Sequence, residues 1–394
     1  MTKPTSTYRR PVEILQDLIR FDTTNPPGNE AACMAYVRAL LAEAGIDSMI
    51  LARDDARPNL IARLKGRGSA PPLLLYGHVD VVTTVSQPWT HPPFSGEIAD
   101  GFVWGRGALD MKSGVAMYLA AFLRAHAERA DLPGDVILAV VSDEEDTGDY
   151  GAGYLVSEHA GLFDGVRYAL GESGGFTQYL NGQRFYPIMV SEKQCCWMRA
   201  AVYGPGGHGA RPVHGGAVAK LADLILALDR NRLPIHITPP VRLMVEALAR
   251  ELPDPARSAL TQVLDPLQTD RALDALGDVG RFLDPLLHNT ISPTVIRAGH
   301  KTNVIPAEAT VELDARILPG LTPDDLFGEL RPLIGDEVEL DIFSYDPGPT
   351  EVNMGLFETL AAILRKADPQ GIPIPFVVPG VTDARLFARL GIQT

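Results

Sequence analysis

The sequence has few cysteines and comparatively few positive charges. Cys33, Cys195 and Cys196 are its only cysteines, and their odd number and spacing provide neither a disulfide framework nor a zinc finger. Its 35 lysines and arginines stand against 49 aspartates and glutamates, and the net charge of −14 repels phosphate backbones and anionic membranes. The small number of cysteines favours a reducing cytoplasm. The excess of negative charge argues against nucleic acid as a partner.

Long hydrophobic runs are also missing. No segment approaches the ~20 consecutive apolar residues that span a bilayer. The N-terminal segment "MTKPTSTYRRPVEILQDLIRF" has no apolar core of the kind that a signal peptide needs. We therefore expect a cytoplasmic protein without a membrane partner. With 394 residues, 46% hydrophobic and 21% charged, the chain is large enough for two globular domains of an α/β enzyme.

The first half of the chain alternates apolar runs with helical spacing. Runs such as "LLLYGHVDVV", "DVILAVVSDEE" and "VRYALGES" are apolar along their length, which is typical of strands buried on both faces. They predict a mostly parallel sheet covered by helices. Near residue 190 the pattern changes to half-exposed strands, and from Val352 the βα pattern returns. We predict a catalytic domain in residues 1–189 and 348–394, interrupted by an α+β domain in residues 190–347.

Several acids and one histidine follow these apolar runs. Ligands of parallel sheets gather at the carboxyl ends of the strands, and one further acid precedes a predicted helix. Any one of them alone is commonly a core histidine or a solvated acidic loop. Together, the carboxylates would repel one another unless a cation neutralised them. Histidine with carboxylates favours Zn²⁺, or Mn²⁺ or Co²⁺, over Ca²⁺, and six candidates favour two ions over one. The candidates are His78, Asp80, Asp110, Glu144, Glu145 and Glu172.

Longer motifs around these residues resemble a known family. The segments "GHVDVV", "WTHPPFSGEIADGFVWGRGALDMKSG", "SDEE", "GGHGARP" and "NVIPAEATVELDAR" occur in this order, and the match extends from about residue 10 to the end of the chain. They resemble the zinc-dependent amidohydrolase and exopeptidase family of aminoacylase, acetylornithine deacetylase, succinyl-diaminopimelate desuccinylase and glutamate carboxypeptidase. The second segment is most similar to the carboxypeptidase and aminoacylase branch. The resemblance implies a zinc-exopeptidase-like catalytic domain with an inserted lid and dimerisation domain.

The resemblance implies a role for each strand-end residue. His78 and Glu172 would bind one metal and Glu145 the second, while Asp110 would bridge them. Asp80 would orient the His78 ring through its other nitrogen. Glu144 would be the general base that moves a proton from metal-bound water to the leaving amine. One or two Zn²⁺ ions per subunit are implied, with Co²⁺ or Mn²⁺ as alternatives.

The resemblance also implies roles in the inserted domain. His208 would reach a neighbouring subunit's active site and stabilise the oxyanion, and the inserted domain would supply a homodimer surface. Asn303 and Arg316 would contact the substrate, with the guanidinium on a terminal carboxylate. Blander alternatives stay open, namely a loop histidine at His208 and a plain surface ion pair at Arg316. Asp383, in "PGVTDAR", matches a motif near the family's active site, but a helix N-terminus also favours an acid at this position.

The C-terminal end departs from the family pattern. In the family, one more strand and loop follow a "GGTDAR…GIPT" segment, and that loop carries a histidine ligand of the second metal. This chain ends at Thr394, and all nine histidines lie at or before His300. We expect the sequence to be truncated relative to the natural protein, or its second metal site to be incomplete. The expectation is one well-formed site and a weaker one at Glu145.

The function that the resemblance implies is amide hydrolysis. A metal-bound hydroxide would cleave an amide bond next to a free carboxylate in a small-molecule substrate, an N-acyl amino acid or small peptide. One alternative is a dipeptidase or aminopeptidase of the same fold that binds a free α-amine. Another is a protein that binds an amino-acid ligand without hydrolysing it. The intact Glu144 argues against the latter.

Overall fold

The computed structural model describes residues 7–348 and 354–394. Its helices begin where apolar residues recur with helical spacing, and several begin next to a proline. The helices are α1 Pro11–Ile19, α2 Ala31–Glu43, α3 Lys112–Ala127, α4 Ala152–Glu158, α5 Ala217–Arg230, α6 Pro239–Glu251, α7 Ala256–Val263, α8 Thr269–Ala275, α9 Asp278–Leu287, α10 Pro323–Ile334, α11 Phe357–Ala367 and α12 Ala384–Ala388.

The strands are short in the first third of the chain and longer in the middle. They are β1 Ser48–Leu51, β2 Asn59–Leu64, β3 Leu73–His78, β4 Glu97–Ala99, β5 Phe102–Trp104, β6 Val136–Val141, β7 Tyr168–Leu170, β8 Gln178–Leu180, β9 Gln183–Glu192, β10 Gln194–Tyr203, β11 Gly207–His208, β12 Thr290–Ala298, β13 Val304–Ile305, β14 Glu308–Ile317, β15 Glu339–Asp346 and β16 Ile372–Val378.

The chain divides into two compact units, Met1–Glu172 with Thr382–Thr394 and Ser173–Val381. The first unit has a sheet in the order β1-β2-β6-β3-β7. Strand β3 pairs in parallel with β6 and β7, while β1 and β2 join antiparallel at one edge. The α/β fold is therefore as expected, and the three predicted buried strands are the three parallel ones. The domain boundaries at residues 190 and 347 stay a prediction.

The parallel strands are buried because both sheet faces are covered. Leu75, Leu138 and Val140 pack with α1, α2 and α3 on one face. On the other face, Leu74 and Ile137 pack with α4 and the C-terminal residues that include Phe387. The continuous apolar runs follow from this double coverage. The sheet therefore holds the carboxyl ends of β3, β6 and β7 side by side.

The second unit contains a four-stranded antiparallel sheet in the order β12-β14-β10-β15. Alternate residues of β10 and β14, such as Cys196 and Val311, face a core shared with α5 and α10. The alternation predicted for β10 and β14 is confirmed. Strand β12 is absent from the sequence-based prediction, because its burial pattern is mostly exposed and shows no apolar face.

A second sheet of this unit has the order β16-β9-β8, with β9 and β16 parallel. Helices α6 to α9 supply most of the core around it, and Phe376 stacks on Phe282 with ring centroids 5.8 Å apart. The Leu-rich segment of residues 233–288 contains these four helices. Among the described residues, none of the helices is both long and apolar enough to cross a bilayer.

Candidate metal centre

His78 is the last residue of β3 and lies at the carboxyl end of the parallel strands. Its side chain is 1% exposed. The Nδ1 atom lies 3.0 Å from the backbone carbonyl oxygen of Asp80 and 3.4 Å from Asp80 Oδ1. Because an Nδ1–H that donates to these oxygens leaves the Nε2 lone pair free, the contacts select the tautomer that a metal ligand needs.

Three carboxylates surround the Nε2 atom of His78. Asp110 Oδ1 lies 3.1 Å away, Glu172 Oε2 3.4 Å and Glu144 Oε2 3.7 Å. Asp110 lies two residues before the start of α3, and Glu172 lies two residues after the end of β7. Ligand atoms of His78, Asp110 and Glu172 all lie within 4.8 Å of one another. The structure thus brings together the three residues predicted for the first metal.

Glu144 and Glu145 lie in the loop after β6. The backbone N–H of Glu144 donates to Asp80 Oδ1 at 3.2 Å, and that of Glu145 donates to Oδ2 at 3.0 Å. Asp80 is fully buried and also accepts from Asn25 Nδ2 at 2.9 Å. The Asp80 carboxylate therefore contacts the predicted metal ligand and the loop that carries the predicted base. Sequence analysis anticipated only the first of these contacts.

Burial, hydrogen bonds and charge raise the pKa values of three groups in this cluster. Burial, with the negative charge of Glu172, raises the pKa of Glu144. Burial also raises the pKa of Glu145 to about 7. Burial would lower the pKa of His78, but hydrogen bonds to Asp110, Asp80 and Glu172 outweigh it and raise this pKa well above its usual value. The cluster therefore resists having all of its carboxylates ionised without a nearby positive charge.

The donor chemistry fits a divalent cation. One imidazole nitrogen and two carboxylates converge, which is a ligand set that zinc and neighbouring divalent ions accept. A cation among them would offset the burial and the repulsion that together raise the pKa of Glu144 and Glu145. Glu145 lies outside the three-residue group but on the same loop as Glu144. The structure thus offers one compact ligand set with one further acid nearby.

Asp383 is a residue that sequence reasoning left undecided. It precedes α12 and is 1% exposed, and neither carboxylate oxygen has a hydrogen-bond partner among the described residues. Burial raises its pKa, partly offset by Arg385, and the charges of His78 and Glu172 also act on it. An acid before a helix is usually a solvated cap. Here its burial and its proximity to these charges place it beside the cluster.

The remaining predicted residues lie in the second unit. His208 in β11 is exposed, and its neighbour Gly209 donates its backbone N–H to the carbonyl oxygen of Asn303 at 2.9 Å. The pairing of β11 with β13 therefore brings His208 and Asn303 together at one small two-stranded sheet. Arg316 in β14 donates from Nε and Nη2 to the Asp314 carboxylate at 2.7 and 3.0 Å. The ion pair is the blander alternative stated for Arg316, and the substrate roles of all three residues stay predictions.

Comparison with known proteins places this geometry in a family. The sequence profile of "Peptidase family M20/M25/M40" matches residues 74–394. The chain is 28% identical over 353 residues to the probable carboxypeptidase S-like 2 of Dictyostelium discoideum, covering 85% of this chain and 66% of that protein. It is also 28% identical over 339 residues to the N-fatty-acyl-amino acid synthase/hydrolase PM20D1 of Xenopus tropicalis, covering 81% and 63%. The chain thus spans about two thirds of the length of these curated relatives.

The fold agrees with this assignment. The M20 family metallo-carboxypeptidase Sso-CP2 of Sulfolobus solfataricus superposes with a TM-score of 0.67 at 18% identity, covering 97% of this chain and 89% of that one. At this identity, the similarity establishes the fold alone. The profile match covers most of the chain and includes every predicted site residue. The chain belongs to peptidase family M20/M25/M40.

Proposed function

We propose that the protein is a metal-dependent hydrolase that cleaves an amide bond next to a free carboxylate, in N-acyl amino acids or small peptides. The observation that carries the proposal is the convergence of Asp110, Glu172 and Glu144 on Nε2 of the buried His78. The names of two relatives, a probable carboxypeptidase S-like protein and an N-fatty-acyl-amino acid synthase/hydrolase, support this substrate class.

His78, Asp110 and Glu172 would hold the cation, for which we propose Zn²⁺, with Co²⁺ or Mn²⁺ as substitutes. Glu145, with Asp110 as a bridge, would bind a second ion. A bound divalent cation supplies Lewis-acid polarisation of the scissile carbonyl and lowers the pKa of water. Asp80 keeps the Nδ1–H of His78 engaged, so that Nε2 faces the ligand set.

Glu144 is the proposed general base. Its Oε2 accepts a proton as the water oxygen attacks the amide carbon, and then delivers that proton to the nitrogen as the carbon–nitrogen bond breaks. A burial-raised pKa supports this role, because a carboxylate whose conjugate acid has a higher pKa is a stronger base towards the water proton.

In the second unit, we propose that the Arg316 guanidinium and the Asn303 amide hold the substrate carboxylate and that His208 stabilises the oxyanion. A guanidinium can exchange the Asp314 carboxylate for a ligand carboxylate because both present the same two oxygens. We also propose a cytoplasmic homodimer. The free, buried cysteines support the compartment, and exposed apolar residues of α5 and β12, including Leu226 and Ile296, support the dimer.

The test compares an N-acetyl amino acid, its C-terminally amidated form and a free dipeptide, with Zn²⁺ or Co²⁺ supplied. We expect Glu144→Gln to lower kcat by about 10²- to 10⁴-fold. The control Glu43→Gln changes an exposed glutamate at the end of α2 and should leave kcat unchanged. Faster turnover of the free dipeptide would favour the dipeptidase alternative. Ligand-induced thermal stabilisation without any hydrolysis would contradict the enzyme and favour a binding protein.

A further inference from the structure

Arg57 is a buried cation of the first unit that the proposed mechanism does not use. It precedes β2, and its side chain is 8% exposed. The guanidinium lies 4.9 Å from the ring centroid of Tyr150, and a Cβ atom on Gly28 would lie 2.2 Å from its Nε. Gly28 has φ +79°, so a residue without a side chain closes the space around the guanidinium. The guanidinium of Arg57 is thus enclosed between Gly28 and Tyr150.

Two buried carboxylates bind this guanidinium. Nη2 of Arg57 lies 2.8 Å from Asp143 Oδ1 and 3.2 Å from Glu30 Oε1. Both acids have side chains no more than 1% exposed. A buried ion pair of this kind is a poor source of net stability, because desolvation of the charges offsets their attraction. The contact with Asp143 suggests a use other than stability.

Asp143 shapes the loop that carries Glu144 and Glu145. It has φ +69°, an uncommon value for a residue with a side chain. Its Oδ2 accepts from the N–H of Tyr150 at 3.1 Å and from the hydroxyl of Thr147 at 3.3 Å, further along the same loop. Asp143 therefore has an uncommon backbone conformation, and its carboxylate binds two residues further along the same loop.

Asn25 connects this anchor to Asp80. Its Nδ2 donates to Asp143 Oδ1 at 3.1 Å and to Asp80 Oδ2 at 2.9 Å. Asp80 in turn accepts the N–H groups of Glu144 and Glu145 and lies against Nδ1 of His78. A continuous path of buried polar contacts thus leads from Arg57 through Asp143 and Asn25 to the cluster.

We propose that Arg57 is a positioning residue for the reaction: by holding Asp143, it fixes the loop backbone that aims Glu144 at the substrate. The inference rests on the proposed function, because it assumes that Glu144 acts as the base. It also makes a structural statement that does not depend on turnover, namely that Arg57 restrains residues 143–150. His78, Asp110 and Glu172 are held by other elements, so substrate and cation binding should depend less on Arg57.

The experiment compares Arg57→Met with Arg63→Met, both in full-length protein with Zn²⁺ added. Arg63 lies in β2, six residues away, and its guanidinium binds Asp135 at 3.0 Å with 29% of its side chain exposed. Two readouts are needed: steady-state kinetics on an N-acyl amino acid, and amide hydrogen exchange followed by mass spectrometry. If Arg57→Met does not fold, the double variant Glu30→Gln with Arg57→Met is used in its place. In that variant only Asp143, of the two carboxylates that bind Arg57, stays charged without the guanidinium.

We expect Arg57→Met to lower kcat at least 30-fold and to leave KM within threefold of wild type. Exchange in residues 143–150 should accelerate at least tenfold, with β3 and β6 unchanged. Arg63→Met should change neither quantity. Arg57→Lys should recover part of kcat, because an ammonium can still pair with Asp143 but lacks the planar guanidinium that lies between Gly28 and Tyr150.

A kcat for Arg57→Met within threefold of wild type would overturn the proposal. So would faster exchange that is uniform over β3, β6 and the loop with a parallel fall in Tm, because that pattern belongs to a general loss of stability. If the wild-type protein hydrolyses none of the substrates, the proposed function fails by itself. The exchange pattern of residues 143–150 then decides whether Arg57 restrains the loop.

Discussion

The polar residues of the two units differ in how much water reaches them. In the first unit His78 and Asp80 are no more than 1% exposed, and Glu144 is 11% exposed. In the second unit His208 and Asn303 are exposed at the two-stranded sheet of β11 and β13. Desolvation strengthens the charge interactions of the buried residues in the first unit and raises the pKa of Glu144 and Glu145. Bond-breaking chemistry thus suits the buried residues of the cluster, and recognition of a soluble ligand suits the exposed strand pair.

The largest effect that separates the units should come from a histidine substitution in each. His78→Gln removes a ligand at the centre of the cluster, and we expect Zn²⁺ affinity to fall by more than about 100-fold, the upper range for losing only an outer partner. His236→Gln in the second unit removes a histidine bonded to Glu329, and Zn²⁺ affinity should stay within twofold. Isothermal titration calorimetry measures both. Equal losses would mean that the cluster does not bind the ion.

A smaller effect should come from a substitution in the second unit. Arg316→Lys replaces a two-pronged donor by a single ammonium, so we expect KM for an N-acyl amino acid to rise about tenfold, the loss of one charge-assisted hydrogen bond. The value of kcat should change less than threefold. Arg297→Lys on β12, where Arg297 pairs with Glu312, is the matched control. A fall in kcat with KM unchanged would place Arg316 in the chemical step instead.

The smallest effect should be on stability and pH. Because burial raises the pKa of folded Glu145 from 4.5 to about 7, the metal-free folded state binds more protons than the unfolded chain over this interval. Stability should therefore fall as pH rises from about 5 to 7, and His78, whose pKa is also raised, acts in the same direction. We expect Tm to drop by a few degrees in chelator-treated protein.

Two controls define this pH effect. Glu145→Gln should weaken the dependence of Tm on pH, because an amide does not titrate, while Glu144 and His78, whose pKa values are also raised, still contribute. Added Zn²⁺ should stabilise the protein more at pH 7 than at pH 5, since ionised carboxylates bind it better. A Tm that rises between pH 5 and 7 in the metal-free protein would contradict the assignment of burial as the dominant influence on Glu145.

The strand-end residues could be predicted from the sequence because each follows an apolar run that only a doubly covered parallel strand would carry. Parallel neighbours end at one sheet edge, so His78, Glu144 and Glu172 had to be close. Arg57 and Asn25 could not be predicted in this way. Each lies in a loop without periodicity, and each contacts Asp143, which is far along the chain. Such convergence of loops leaves no local pattern.

Burial and exposure also explain why two further features could not be predicted from the sequence. Asp383 looks like an ordinary acid before a helix, and only the packing of α12 on α4 encloses it. Strand β12 lacks an apolar face because it is an edge strand whose residues are largely exposed. Both features depend on which segments pack together, and a pattern of single residues does not encode that choice.

Anomalous diffraction at the zinc absorption edge, from crystals grown with Zn²⁺, tests the central claim most directly. We expect a peak from the ion, with His78 Nε2 and oxygens of Asp110 and Glu172 at about 2.0–2.2 Å from it. We also expect Asp80 to stay on Nδ1 of His78 and not to contact the ion. An ordered cluster without a peak, or a zinc ion bound only elsewhere on the protein, would contradict it.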